Sequence, residues 1–145
     1  MTLPQYWRRA SFTVPEIAKL IGTVDATLRS YMVRTPVDDF MGAKTGGRIY
    51  LSVQDAFYYF LVSELSAYGV PSRAAMYAAA DIANQCDDHL PREELLVVRI
   101  SGGASKFHLT NERPTDDKPA LVLPIRALAE VLIEDAKAIY ASEAA

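Results

Sequence analysis

Cysteine is almost absent from these 145 residues. Cys86 stands alone, so no disulfide can close within the chain, and a reducing, cytoplasmic setting is expected. Histidine is nearly as scarce. His89 and His108 with one thiol give no metal-ligand spacing. No apolar run approaches a membrane-spanning length, so no membrane partner is expected. The first nine residues carry charge but no apolar stretch followed by small residues, which does not fit a secretory signal. A Gly-x-Ser-x-Gly elbow and a phosphate-cradling glycine loop are both missing, and Gly102-Gly103 reads as a hairpin turn. Asp87-Asp88 and Glu93-Glu94 read as a solvated connection. The expectation is a protein that is not an enzyme and needs no metal or cofactor.

What is present belongs to a folded protein. Half of the residues are hydrophobic and 23% are charged, a balance that can bury a core and argues against wholesale disorder. The length fits one domain, or two small units sharing a core. A net charge of −3 speaks against a nucleic-acid partner until it is divided. Residues 1–50 hold seven basic and four acidic residues, a balance of +3, and the remainder carries −6. Such a split is more informative than the total.

Thr13-Val14-Pro15-Glu16 has the pattern of a capping box, with Pro15 in the first turn where a missing N–H costs nothing. Val14, Ile17, Ala18, Leu20 and Ile21 supply an apolar stripe, and Gly22 ends the helix. A second short helix is expected over residues 25–32, capped by Thr23 or Asp25. Two short helices across a glycine-containing turn make a helix-turn-helix candidate. Gly46-Gly47 before Arg48-Ile49-Tyr50-Leu51 predicts a tight hairpin. Ser52-Val53-Gln54-Asp55 opens a third helix, whose Val53, Phe57, Phe60, Leu61 and Leu65 recur at helical spacing. Ser72 caps a fourth, alanine-rich helix running to about Cys86. Residues 87–94 form the expected boundary. Beyond it, residues 95–100 and 106–110 read as a hairpin, residues 120–123 as a third strand, and Pro124 as the opening of a last helix. Leu128, Val131, Leu132, Ala136 and Ile139 mark its apolar face, and residues 141–145 are expected to fray.

Phe12-Thr13-Val14-Pro15-Glu16-Ile17-Ala18-Lys19-Leu20-Ile21-Gly22, followed by Ala26-Thr27-Leu28-Arg29-Ser30-Tyr31, resembles the helix-turn-helix of the MerR-like winged family. Gly47-Arg48-Ile49-Tyr50 is similar to that family's wing, and Val53-Gln54-Asp55 with Leu65 and Gly69 to the helices after it. Related forms occur in phage excisionases and small terminase subunits. Ser30 and Met32 depart from the regulators' usual aromatic and acidic residues, and the long dimerisation coiled coil is missing. The resemblance therefore implies the domain and its DNA-binding mode, without the effector chemistry. The fold expected is α+β. A winged helix-turn-helix over residues 11–86 precedes a small antiparallel sheet with a C-terminal helix over residues 87–145, which serves oligomerisation or partner binding.

On that resemblance, Arg29 enters the major groove, where its planar fork matches guanine O6 and N7. Thr27 and Ser30 bond phosphates or base edges. Asp25 caps its helix or accepts from a cytosine amine. Lys44 and Arg48 on the wing neutralise phosphates or follow a narrow minor groove, and Arg34 adds positive charge. Tyr50 either reaches a phosphate or packs on the third helix. In the Phe57-Tyr58-Tyr59-Phe60 run, one side belongs to the core and Tyr58 or Tyr59 to a subunit contact. The expected partner is double-stranded DNA, bound by a homodimer, with a further protein partner possible through the C-terminal region. The leading expectation is a sequence-specific transcription regulator. The alternatives are a phage-type accessory DNA-binding protein and a protein-interaction module that has lost DNA binding.

Overall fold

The computed structural model describes residues 2–144. Met1 and Ala145, the first residue of the charged N-terminal stretch and the last of the tail expected to fray, lie outside the described residues. The architecture is mixed α+β. A single 3-10 turn, Gln5–Trp7, leads into β1 (Phe12–Thr13), α1 (Val14–Leu20), α2 (Asp25–Arg34), β2 (Ala43–Thr45), β3 (Arg48–Leu51), α3 (Val53–Ala67) and α4 (Ser72–Asn84). The order continues with β4 (Leu95–Ser101), β5 (Ala104–Thr110), β6 (Leu121–Leu123) and α5 (Ile125–Ala144). The strands form two three-stranded antiparallel sheets, ordered β1-β3-β2 and β5-β4-β6.

Capping chemistry sets two of the helix starts as expected. The Thr13 side chain accepts from the Glu16 backbone N–H, and Glu16 accepts in return from the Thr13 N–H at 2.8 Å. Ser52 and Asp55 repeat the arrangement at α3, with distances of 2.9 and 3.0 Å. Other termini differ from expectation. Val24 is the N-cap of α2 and offers no side-chain bond, so neither Thr23 nor Asp25 caps it. Pro71, not Ser72, precedes α4. The last helix continues to Ala144 instead of fraying from 141.

Helix α3 is the centre of the molecule. Every residue from Val53 to Tyr59 is buried, because α4 and α5 pack on it and the N-terminal turn covers its start. Fully burying each large apolar side chain stabilises by about 1.5–3 kcal/mol. This envelopment buries Tyr58 and Tyr59 completely, so neither is available for the subunit contact expected of one of them. Their hydroxyls have internal work instead. The Tyr58 hydroxyl lies 2.6 Å from Thr35 Oγ1, and the Tyr59 hydroxyl donates to the Phe40 carbonyl at 2.9 Å. Phe40 stacks on Tyr58 with centroids 4.3 Å apart. The link between α2 and β2 is thereby pinned to α3.

The same core continues into the C-terminal elements through Leu96, Val98, Leu123, Ile125, Ala129, Leu132 and Ile133. Val131 is exposed, although the apolar spacing placed it inside; Ala129 and Ile133 take the buried positions. Tyr6 bridges to the last helix, its hydroxyl donating to the Ile133 carbonyl at 3.3 Å, and Trp7 closes over α3 and the end of α4. Trp7 is wholly buried, its Nε1–H donates to the Cys86 carbonyl at 2.6 Å, and its ring lies 6.0 Å from Phe57. Over the other face of the second sheet, Arg99 holds the 111–119 loop. Its Nη2 donates to both Asp116 carboxylate oxygens at 3.0 Å, and its Nη1 to the Lys118 carbonyl.

Candidate functional site

A cleft of about 390 Å³ opens between the start of α1, the outer side of α2 and the β2–β3 hairpin. Thr13, Val14 and Pro15 form one wall, Arg29 a second, and Lys44, Gly47, Arg48 and Ile49 the third. Each wall has a local cause. The Thr13–Glu16 capping box fixes the direction in which α1 enters. Gly46 and Gly47 both have positive φ, 58° and 78°, as a two-residue turn matching the strand twist requires. That turn places Lys44 opposite Ile49 and Thr45 opposite Arg48. Lys44 and Arg48 leave opposite faces of the ribbon, but their long side chains let both border the cleft.

At the hairpin base, Gly42 has φ 71°. A Cβ there would collide with the Tyr50 carbonyl oxygen and stand 2.7 Å from Leu51 Cδ2. Only glycine allows the strand to enter so close to its neighbour.

Arg29, Lys44 and Arg48 are all exposed. Among the described residues Lys44 and Arg48 form no salt bridge, while Arg29 Nε bonds Asp25 Oδ1 at 3.0 Å. That exposed i,i+4 pair contributes about 0.3–0.5 kcal/mol. It uses only Nε and leaves both Nη groups without a bond among the described residues. Three positive charges border the cleft, against Asp25 paired with Arg29 and Glu16 engaged with Thr13 in the capping box, a balance that stays positive and suits a polyanion.

The remaining expected residues lie elsewhere on α2. Thr27 is half-buried. Ser30 is exposed, and Arg34 at the helix end bonds the Ser30 carbonyl at 3.4 Å while lying over the Tyr31 ring. None of the three lines the cleft. Sequence reasoning missed Thr13, Val14, Pro15 and Ile49 as wall residues. The β-forming pair Phe12-Thr13 was the available signal, since β1 pairs with β3 and brings α1 to the hairpin.

A second, more polar cavity of about 490 Å³ lies on the far side of the hairpin base. Arg8, Asp39, Ser52, Gln54, Asp55, Asn84 and Asp87 face it. Gln54 donates to the Ala83 carbonyl and to Asp87, and Asn84 to Asp39. Burial pushes the Asp55 carboxyl up to about 6, against the opposing pull of its two bonds to Ser52. The folded state therefore holds a proton that the unfolded chain has released between about pH 4 and 6. Stability from this group is fully present below pH 4 and is lost as pH rises through 6. Asp55→Asn keeps an acceptor for the Ser52 N–H and removes the ionisation. The wild-type minus Asp55→Asn difference in urea midpoint should fall across that window; parallel curves would show that the carboxyl is not perturbed.

The other candidate chemical groups are separated or quenched. Burial, reinforced by Asp87 and Glu93, pushes the Cys86 thiol up to about 12. Among the described residues no cluster of three His, Cys, Asp or Glu side chains is placed to hold a metal ion, and no helix is long and apolar enough to cross a membrane. No protein-family model matches the chain, and no curated protein or solved structure shows significant similarity to it. What the architecture defines is a mixed α+β protein with two small antiparallel sheets.

Proposed function

We propose that this chain is a sequence-specific double-stranded DNA-binding protein of the winged helix-turn-helix kind, acting in the cytoplasm as a transcription regulator rather than as an enzyme. Helix α2 is the reading helix and the β2–β3 hairpin is the wing. The observation that carries this reading is the convergence of Arg29, Lys44 and Arg48 on one cleft. They come from separate elements, and the tyrosine anchors at Thr35 and Phe40 hold those elements in place before any partner arrives. A preformed cationic site loses little conformational entropy on binding.

The chain is proposed to act as a homodimer. Strand β5 is an outer strand of its sheet, and an apolar groove of about 360 Å³ beside it is bordered by Tyr77, Phe107 and Leu109. Open strand edges with adjacent apolar surface favour pairing between copies. Two reading helices then double the phosphate contacts and suit a two-fold site. A dimer occupying such a site at a promoter blocks or recruits the transcription machinery.

Selection from a random duplex pool tests both statements. The expected product is an inverted repeat with guanine in each half-site. Absence of any enriched motif would overturn sequence-specific binding, and an unrepeated half-site would overturn the homodimer. On the selected site, Lys44→Ala or Arg48→Ala should weaken binding to all sequences alike. Each should lower the slope of log affinity against log salt by about one.

A further inference from the structure

Valine is exposed at both ends of α2. Val24 is 64% exposed and Val33 is 85% exposed, the highest value among the exposed large hydrophobic residues. The fold gains little from either. Leu28 and Met32 supply the buried side of the helix, with Tyr31 half-buried beside them. Ala26, Arg29, Ser30 and Val33 recur at three- and four-residue spacing and share one exposed strip. Arg29 stands beside the apolar positions on this strip, and Arg34 follows Val33 at the helix end.

We infer that Val33 reads a thymine C5 methyl group about two base pairs from the base read by Arg29. The inference rests on the DNA-binding proposal and adds a second base to its specificity. Four residues of α-helix advance about 6 Å, which corresponds to about two base steps of duplex. Val33 therefore meets the groove about two base pairs from the Arg29 contact. Thymine alone presents a methyl group in the major groove, and an apolar side chain is its matching reader. A strip that sets an apolar side chain one turn from a cation suits a methyl-bearing groove edged by phosphates better than a purely apolar protein surface.

Replacing one thymine at a time by deoxyuridine in the selected site removes only the methyl group. Wild-type protein should lose about fourfold in affinity at a thymine within about two base pairs of the Arg29-dependent guanine. Val33→Ser should bind the two sites equally. The exposure of Val33 keeps this substitution outside the core, and an unchanged urea midpoint verifies it. A motif without methyl dependence, or a dependence that survives in Val33→Ser, overturns this inference alone. Failure to enrich any motif overturns it together with the DNA-binding proposal. Loss of self-association in Val33→Ser, with methyl dependence intact, assigns the strip to a protein contact and also overturns it.

Discussion

Trp7→Ala should lower the unfolding free energy by about 3–5 kcal/mol, as expected for deleting a fully buried indole. Small domains are stable by only about 5–15 kcal/mol, so the loss is a large part of the total. Two effects combine. The indole leaves a void beside Phe57 under the start of α3, and the Cys86 carbonyl loses its 2.6 Å donor. Trp7→Phe weights the second effect, because it keeps the larger part of the ring packing while removing the N–H. That variant should lose about 1–3 kcal/mol, the cost of a buried acceptor left unpaired. Urea unfolding followed by far-ultraviolet circular dichroism measures both. A loss below about 1 kcal/mol for Trp7→Ala would mean that the N-terminal turn is not part of the cooperative core.

Arg29→Ala should weaken binding to the selected DNA site by about 5- to 150-fold, the range expected for one bidentate guanine contact worth about 1–3 kcal/mol. Base preference at one position per half-site should relax. Arg29→Lys is the sharper control. It restores the charge, so non-specific binding recovers, but a single ammonium cannot form the two parallel bonds and the preference stays lost. Neither variant disturbs the core, since Arg29 is exposed and its only bond among the described residues is to Asp25. Unchanged affinity of Arg29→Ala for the selected site would show that α2 is not the reading helix.

Much of the local structure was legible in the sequence because it follows from local chemistry. Thr13 with Glu16 and Ser52 with Asp55 announce helix starts within four residues. Gly46-Gly47 and Gly102-Gly103 announce turns that need positive φ. Arg29, Lys44 and Arg48 could be chosen for charge and placement, and the structure brings those three together. What stayed hidden depends on contacts between distant residues. Nothing near Tyr58 or Tyr59 says that α4, α5 and the 35–42 link surround α3. Nothing near Gln5–Trp7 says that this turn closes over Phe57 and Cys86. Spacing put Val131 inside, but the helix presents Ala129 and Ile133 to the core instead. Thr27 and Arg34 are expected to support Arg29 at the same surface, but neither lines the cleft. The hairpin's place beside α1 depends on β1 pairing with β3, for which the only local hint is the β-forming pair Phe12-Thr13.

The pairing of Asp25 with Arg29 also bears on how fast a DNA-bound molecule lets go. On the proposed reading, a carboxylate 3.0 Å from the reading arginine stands close to the phosphates of every sequence the protein visits. On an arbitrary sequence that repulsion is not offset by a guanine contact, and residence is short. At the cognate site both Nη groups find acceptors, and these bonds offset the repulsion. On that reading, an acid beside the reading head shortens stops on arbitrary sequences more than it shortens the stay at the cognate site.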